Sequence, residues 1–144
     1  MASTMGTSNE LATRADTVWS AIRAAAYALS DEQLERPNTI GHWSGRDVML
    51  HVATWEAAAT RAIHDLNAGL PLDPIFATDA DVDAWNDQQL APLRSFTLAD
   101  AKRFFEETHQ TLVDTIRSSP NVYPEMVMSS YLYHLDDLLT LAWR

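Results

Sequence analysis

The 144-residue sequence contains no cysteine. Disulfide bonds, thiolate metal sites and a cysteine nucleophile are therefore excluded, because each of them needs a thiol sulfur. Lysine is nearly absent as well, since Lys102 is the only one, and 20 acidic residues against 10 basic ones give a formal net charge of −10. A surface of this charge repels nucleic-acid phosphates and anionic lipid headgroups, so we expect neither a nucleic acid nor a membrane as a partner.

Glycine and long apolar runs are also scarce. The chain has 4 glycines, and no Asn-Gly or Asp-Gly dipeptide separates alternating apolar and polar runs, so β-hairpins are not predicted. No segment approaches the ~18 consecutive apolar residues of a membrane span, and Met1–Asn9 contains no basic stretch followed by an apolar run. We therefore expect a cytoplasmic protein.

The residues that are plentiful indicate a packed core. Hydrophobic residues make up 47% of the chain and 5 tryptophans are present, which is typical of a globular protein rather than a disordered one. The length lies in the usual range for one domain. We predict a flexible N-terminal tail over residues 1–8 and a single domain over residues 9–144.

Helical periodicity dominates the sequence, with apolar residues recurring at three- and four-residue steps. Ser30 begins a capping box for a short helix, and the N-cap residues Ser44 and Thr97 begin longer ones. The connection from Leu70 to Ser95 is too long for a tight turn, so we expect it to cross over the helices that it joins. The predicted fold is an all-α, antiparallel four-helix bundle with a long crossover between the second and third helices. Its long helices are about Asn9–Leu29, Ser44–Gly69, Thr97–Ser118 and Pro124–Trp143, with a short helix around Asp81–Leu90.

Histidines stand on the apolar faces of two of these helices. His51 lies one turn from both Val48 and Trp55 on the second long helix, and His134 lies on the apolar stripe of the last. Metal sites in helix bundles are made of inward side chains from facing helices, and imidazole is a favoured ligand of zinc, nickel and iron. Two histidines are an incomplete set, because a catalytic zinc usually has three protein ligands.

A third ligand is harder to find. Ser130 lies one turn before His134, whereas Glu56 is displaced from the face of His51. Two interpretations stay open: a functional site, or two buried histidines satisfied by a hydroxyl, a carbonyl or each other. The remaining histidines are predicted to be surface residues: His42, His64 and His109.

The segment from His42 to Glu56 resembles the second-helix signature of the DinB-like superfamily. In that signature a Trp, a short Asp-containing turn, a His and a Trp-Glu pair recur. The segment Val82–Asn86, which contains Trp85, and the segment Tyr131–Leu135 with its late histidine fit the same pattern. The resemblance covers nearly the whole chain from about Asn9 onward.

This resemblance implies a four-helix bundle, which in this superfamily is often a homodimer. Its metal-binding branches, which include thiol-dependent transferases and the mycothiol-dependent maleylpyruvate isomerase, place one His on helix two and a His-x-x-x-His pair on helix four. His51 matches the helix-two ligand and His134 the second of the pair, but the first falls on Ser130. A serine hydroxyl is a poor ligand for a divalent transition metal, so no cofactor is fixed, and zinc or nickel remains the candidate.

The superfamily also contains the ClbS/DfsB branch, similar to a colibactin self-resistance protein, which does not depend on an intact metal triad. The missing ligand and the Trp85-Asn86 pair favour this branch, and hence a small-molecule-modifying or self-resistance protein of hydrolase type. His51 would serve as general base or acid. The alternatives are a metal-dependent thiol transferase or isomerase, and a ligand-binding or dimerising scaffold without chemistry. The small-molecule pocket would be lined by His51, Trp55, Trp85, Asn86, Tyr131 and His134.

Overall fold

Every regular element is helical in the computed structural model, which describes residues 8–39, 43–70 and 79–120. The predicted all-α class is confirmed. The last predicted helix, Pro124–Trp143, lies outside the described residues. The elements are α1 (Ser8–Tyr27), α2 (Asp31–Glu35), α3 (Gly45–Asn67), α4 (Asp79–Leu90), a 3₁₀ turn (Ala91–Leu93) and α5 (Leu98–Ser118).

Side-chain caps begin three of the helices at the residues that the sequence indicates. The Ser30 hydroxyl accepts a hydrogen bond from the backbone N–H of Gln33 and begins α2, and the Thr97 hydroxyl begins α5 in the same way. Ser44 and Asp47 form a reciprocal capping box at the start of α3. Each cap satisfies a backbone N–H that has no partner inside its helix, so the helix starts are fixed by local chemistry.

The end of α3 is fixed by Gly69. Its φ of +75° lies in the left-handed region, which glycine adopts without steric cost. The N–H of Leu70 donates to the carbonyl of Asp65 (2.9 Å) and the N–H of Gly69 to that of Leu66 (3.2 Å), which is the Schellman pattern. The helix therefore stops at Asn67, two residues before the glycine that predicted its end.

Contacts between helices give their relative directions. The Ser8 hydroxyl donates to the Ser119 carbonyl at 2.8 Å, and Arg23 pairs with Glu106 at 2.8 Å, so α1 and α5 are antiparallel. In contrast, α3 and α5 are parallel, because residues early in both helices pack in one cluster and the side chains of later residues meet in turn. Parallel packing of these two helices is what the predicted crossover between them permits.

One main hydrophobic core joins α1, α3 and α5. Its fully buried side chains come from all three helices, and within it Trp19 stacks on Phe105 with ring centroids 4.9 Å apart. A smaller cluster of Leu50, Leu90 and Ala101 fixes the end of α4 against α3 and α5. Within the residues described, none of the helices combines the length and apolarity that crossing a membrane requires.

Candidate functional site

His51 lies in the first half of α3 and is buried, with 3% of its surface exposed. Its ring centroid is 4.8 Å from that of Trp43 and 6.0 Å from that of Trp55, which meets it edge-on. Trp55 follows His51 by one helical turn, so the helix itself brings these two rings together. The predicted inward orientation of His51 is therefore confirmed, while its chemical role stays a prediction.

The crossover helix α4 supplies two more of the predicted pocket residues. The Trp55 Nε1–H donates a hydrogen bond to Asn86 Oδ1 at 3.0 Å, and the rings of Trp55 and Trp85 are 4.8 Å apart. Because the amide oxygen of Asn86 accepts this bond, the NH₂ group of the same amide points away from the Trp55 N–H. The four residues His51, Trp55, Trp85 and Asn86 thus form one contiguous group, called here the His51 cluster.

The other predicted site residues, Ser130, Tyr131 and His134, lie outside the described residues. In the part of the chain that the structure describes, no three His, Asp or Glu side chains are grouped so that they could hold a metal ion. His51 is the one member of the predicted ligand set within that part. The metal site remains a prediction from the sequence.

A cavity of about 450 Å³ borders the His51 cluster between α3, α4, the 3₁₀ turn and α5. Of the four residues of the His51 cluster, Trp85 is the one in the lining of this cavity, and its ring also contacts Trp55. Thr54 lines the cavity too, and its hydroxyl donates to the backbone carbonyl of His51 at 2.8 Å. The volume lies in the range of small-molecule sites. The remaining polar and aromatic lining comes from Arg61, Asp65, Gln89 and Phe104.

The prediction that His109 is a surface residue is wrong. Its side chain is 4% exposed, and its Nδ1 lies 2.8 Å from Glu56 Oε2 and its Nε2 2.9 Å from Asp16 Oδ1. The indole of Trp19 stacks on the imidazole with ring centroids 4.0 Å apart and planes 2° apart. Asp16, Trp19, Glu56 and His109, called here the His109 cluster, join α1, α3 and α5.

Glu56 is displaced from the face of His51, as predicted, but it is displaced into the core and not to the surface. Its side chain is 2% exposed. A buried carboxylate is costly unless it is paired, and His109 is a partner of opposite charge when protonated. Burial by itself would lower the pKa of His109, but the hydrogen bonds and charges of Glu56 and Asp16 outweigh burial and raise that pKa above its ordinary value.

Helical spacing does contain a signal for this second cluster. A polar residue that occupies a core position at helical spacing on each of two neighbouring helices indicates a buried pair. The two stripes are Val52, Glu56, Ala59 and Ile63 on α3, and Phe105, His109, Leu112 and Ile116 on α5. The neighbouring Thr108, three residues after Phe105, is only partly buried.

Comparison with protein families gives a match over most of the chain. The family described as "Mycothiol maleylpyruvate isomerase N-terminal domain" matches residues 15–141, from the middle of α1 to near the end of the chain. Comparisons with curated proteins and with solved structures found no match.

Proposed function

Because the chain belongs to the mycothiol maleylpyruvate isomerase N-terminal domain family, a DinB-like helical family, we propose that it binds a small molecule and acts on it at the His51 cluster. The observation that carries this proposal is a buried imidazole beside the rings of Trp43 and Trp55, in a cluster whose other tryptophan ring, Trp85, lines a cavity of ligand size. The domain over residues 9–144 is proposed as the functional unit.

In this proposal His51 transfers a proton. An imidazole titrates near neutral pH, so it can accept a proton from a bound ligand or water and return it later in the reaction. The aromatic rings beside it restrict where a ligand can lie. The hydrogen bond from Trp55 to Asn86 supports that arrangement, because it links the α3 side of the cluster to the α4 side.

The cavity accounts for ligand binding. Trp85 and Phe104 offer flat apolar surfaces, and Gln89 offers an amide. Arg61 and Asp65 add one positive and one negative group a helical turn apart. A small, partly planar molecule with an acidic group fits this lining, because Arg61 can bind a carboxylate in a two-pronged geometry.

The described residues do not by themselves fit a metal ion. They provide one imidazole from the predicted set, and a divalent metal in a catalytic site usually needs three protein ligands. His134 would add a second imidazole and Ser130 a weak third group. His51 is therefore assigned the proton transfer without the help of a metal ion.

The family match favours a thiol-dependent isomerase or transferase. A chain without cysteine has no thiol of its own, so the sulfur nucleophile would come from a small thiol co-substrate. The ClbS/DfsB type of small-molecule-modifying protein is the second candidate, and Ser130 in place of an imidazole favours it. A ligand-binding or homodimeric scaffold is the third, and its cluster would bind without turnover.

The metal question can be tested on the untagged chain by elemental mass spectrometry, with His51→Ala as the variant. The matched control is His64→Ala, an exposed histidine on the same helix. Near-stoichiometric metal in the wild type and in the control, but not in His51→Ala, would support the metal-dependent alternative. Metal-free protein in all three would support proton transfer by His51 without a metal.

Activity is tested with maleylpyruvate in the presence and absence of mycothiol. We expect thiol-dependent consumption by the wild type and by His64→Ala, with a loss of at least about 100-fold in His51→Ala, because general acid–base groups contribute about 10²–10⁴-fold. Consumption that His51→Ala leaves unchanged would contradict the proposed role of His51. No consumption by the wild type would exclude isomerisation of this substrate and favour the second or third candidate.

A further inference from the structure

The geometry of the His109 cluster indicates how many protons the imidazole of His109 carries. Both ring nitrogens of His109 lie within 2.9 Å of carboxylate oxygens. An ionised carboxylate only accepts hydrogen bonds, and a neutral imidazole has a single N–H to donate. Both contacts can therefore be hydrogen bonds to ionised carboxylates only when the ring carries two protons. The geometry points to an imidazolium held between Glu56 on α3 and Asp16 on α1.

The two carboxylates differ in their access to water. The side chain of Asp16 is 56% exposed, whereas that of Glu56 is 2% exposed. If the imidazolium loses one proton, water can solvate the carboxylate of Asp16, but solvating Glu56 would require water to enter the core. The proton on Nε2, which faces Asp16, is therefore the one whose loss costs less.

We propose that His109 is a proton-operated latch between helices: its second ring proton joins Asp16 of α1 to α5, and loss of that proton releases Asp16 while Glu56 stays bound. Release is local, because apolar side chains of α1 on either side of Asp16 remain in the core. The part of α1 around Asp16 is the segment that loosens.

The described groups around the ring are few. Asp16 and the indole of Trp19 face it from α1, and Glu56 faces it from α3. Glu106, on α5 itself, pairs with Arg23 of α1 at 2.8 Å and forms a separate ion pair. Among the described charged groups, the carboxylates of Glu56 and Asp16 are thus the ones that bind the two ring N–H groups of His109.

The state of the ring can be observed directly by ¹⁵N NMR of the full-length chain, titrated from pH about 5.5 to about 9.5, a range that brackets the ordinary pKa of histidine. His109→Gln identifies the resonances by their loss. At neutral pH we expect both ring nitrogens of His109 to be protonated, and at higher pH we expect a neutral ring with its proton on Nδ1. A neutral ring at neutral pH, or a neutral form with its proton on Nε2, would overturn the proposal.

Asp16→Asn tests whether Asp16 is the released partner. The amide of asparagine can accept from Nε2–H or donate to bare Nε2, so this variant pairs with the ring in either protonation state. We expect its His109 transition to move to lower pH, while Asp87→Asn, an exposed aspartate on α4, leaves the transition unchanged. An unchanged transition in Asp16→Asn would contradict the latch.

Hydrogen exchange shows whether the helix responds. In the wild type we expect the protection factors of α1 amides around Asp16 to fall as His109 deprotonates, and those of Asp16→Asn to stay level. Protection factors are used because the intrinsic exchange rate itself varies with pH. The size of the expected fall follows from the two His109 transitions. Each pH unit by which the wild-type transition lies above that of Asp16→Asn corresponds to a tenfold larger fall in the wild-type protection factors. Equal pH dependence in the two proteins would overturn the proposal.

Discussion

Phe104 and Phe105 are neighbours on α5 in different surroundings. Phe105 is fully buried and stacks on Trp19, whereas Phe104 is partly exposed and lines the cavity. We expect Phe105→Ala to lower the free energy of unfolding by about 3–5 kcal/mol, because it leaves a cavity in the core. Denaturant unfolding measures this, and Phe104→Ala is the control with the smaller expected loss. Equal losses in the two variants would contradict the greater contribution of Phe105 to the core.

Asn86 accepts a hydrogen bond from Trp55 and so joins the two halves of the His51 cluster. Replacing it by leucine keeps a similar volume but removes the acceptor of the indole N–H. We expect Asn86→Leu to lower the free energy of unfolding by about 1–3 kcal/mol, the usual cost of depriving a largely buried polar group of its partner. Gln89→Leu, the same amide-to-leucine change one turn later on α4, serves as the control. A loss no greater than that of Gln89→Leu would mean that the bond contributes little.

At the scale of the element, the Schellman end of α3 depends on the backbone angle of Gly69. An alanine there meets no neighbouring atom within 4 Å, so any cost comes from its positive φ alone. We expect Gly69→Ala to destabilise the chain by about 1–2 kcal/mol, since side chains other than glycine and asparagine disfavour this conformation. Thermal unfolding of Gly69→Ala and Gly69→Asn compares the two. If the asparagine variant is no more stable than the alanine one, backbone strain is not the cause.

Helix starts and ends could be predicted from the sequence because each depends on residues within a few positions. Ser30, Ser44, Thr97 and Gly69 all act locally, and all four mark the ends that the structure shows. Rotation of a helix about its axis is different, because it is set by packing against residues far away in the chain. His109 does occupy a position on the apolar stripe of α5, but what makes a buried imidazole acceptable there is its partner Glu56, which lies 53 positions away.

In the candidate site too, contacts between residues close in sequence could be predicted and contacts between distant residues could not. His51 and Trp55 could be placed together from helical spacing, and the DinB-like resemblance added Trp85 and Asn86 from the crossover. Their mutual contacts are long-range and follow only once α4 is packed against α3. The pairing of Asp16 with His109 required the antiparallel register of α1 and α5, which no local pattern provides.

For the whole molecule, the His109 cluster predicts a pH dependence of stability. The pKa of His109 is raised in the folded chain, so its stabilising contribution is complete below the ordinary value of about 6.5. That contribution is lost as the pH rises through the higher folded value. We expect the free energy of unfolding, measured in denaturant, to fall over this range.

The comparison that isolates this effect is between the wild type and Asp16→Asn at each pH. Other groups titrate equally in both proteins, so the difference between their unfolding free energies reports on the cluster. We expect the unfolding free energy of the wild type to exceed that of Asp16→Asn by the largest amount at the acidic end of the range. A difference that is constant, or that grows toward alkaline pH, would contradict the prediction.

The parallel stacking of Trp19 on His109, 4.0 Å between ring centres, has an optical consequence. A charge that appears and disappears against one face of an indole changes the energy of its excited state and the rate at which that state decays. The ultraviolet emission of Trp19 is therefore expected to change in intensity and colour with the protonation of His109. The chain thus contains its own indicator of that proton, and comparison with Trp19→Phe separates its signal from that of the other four tryptophans.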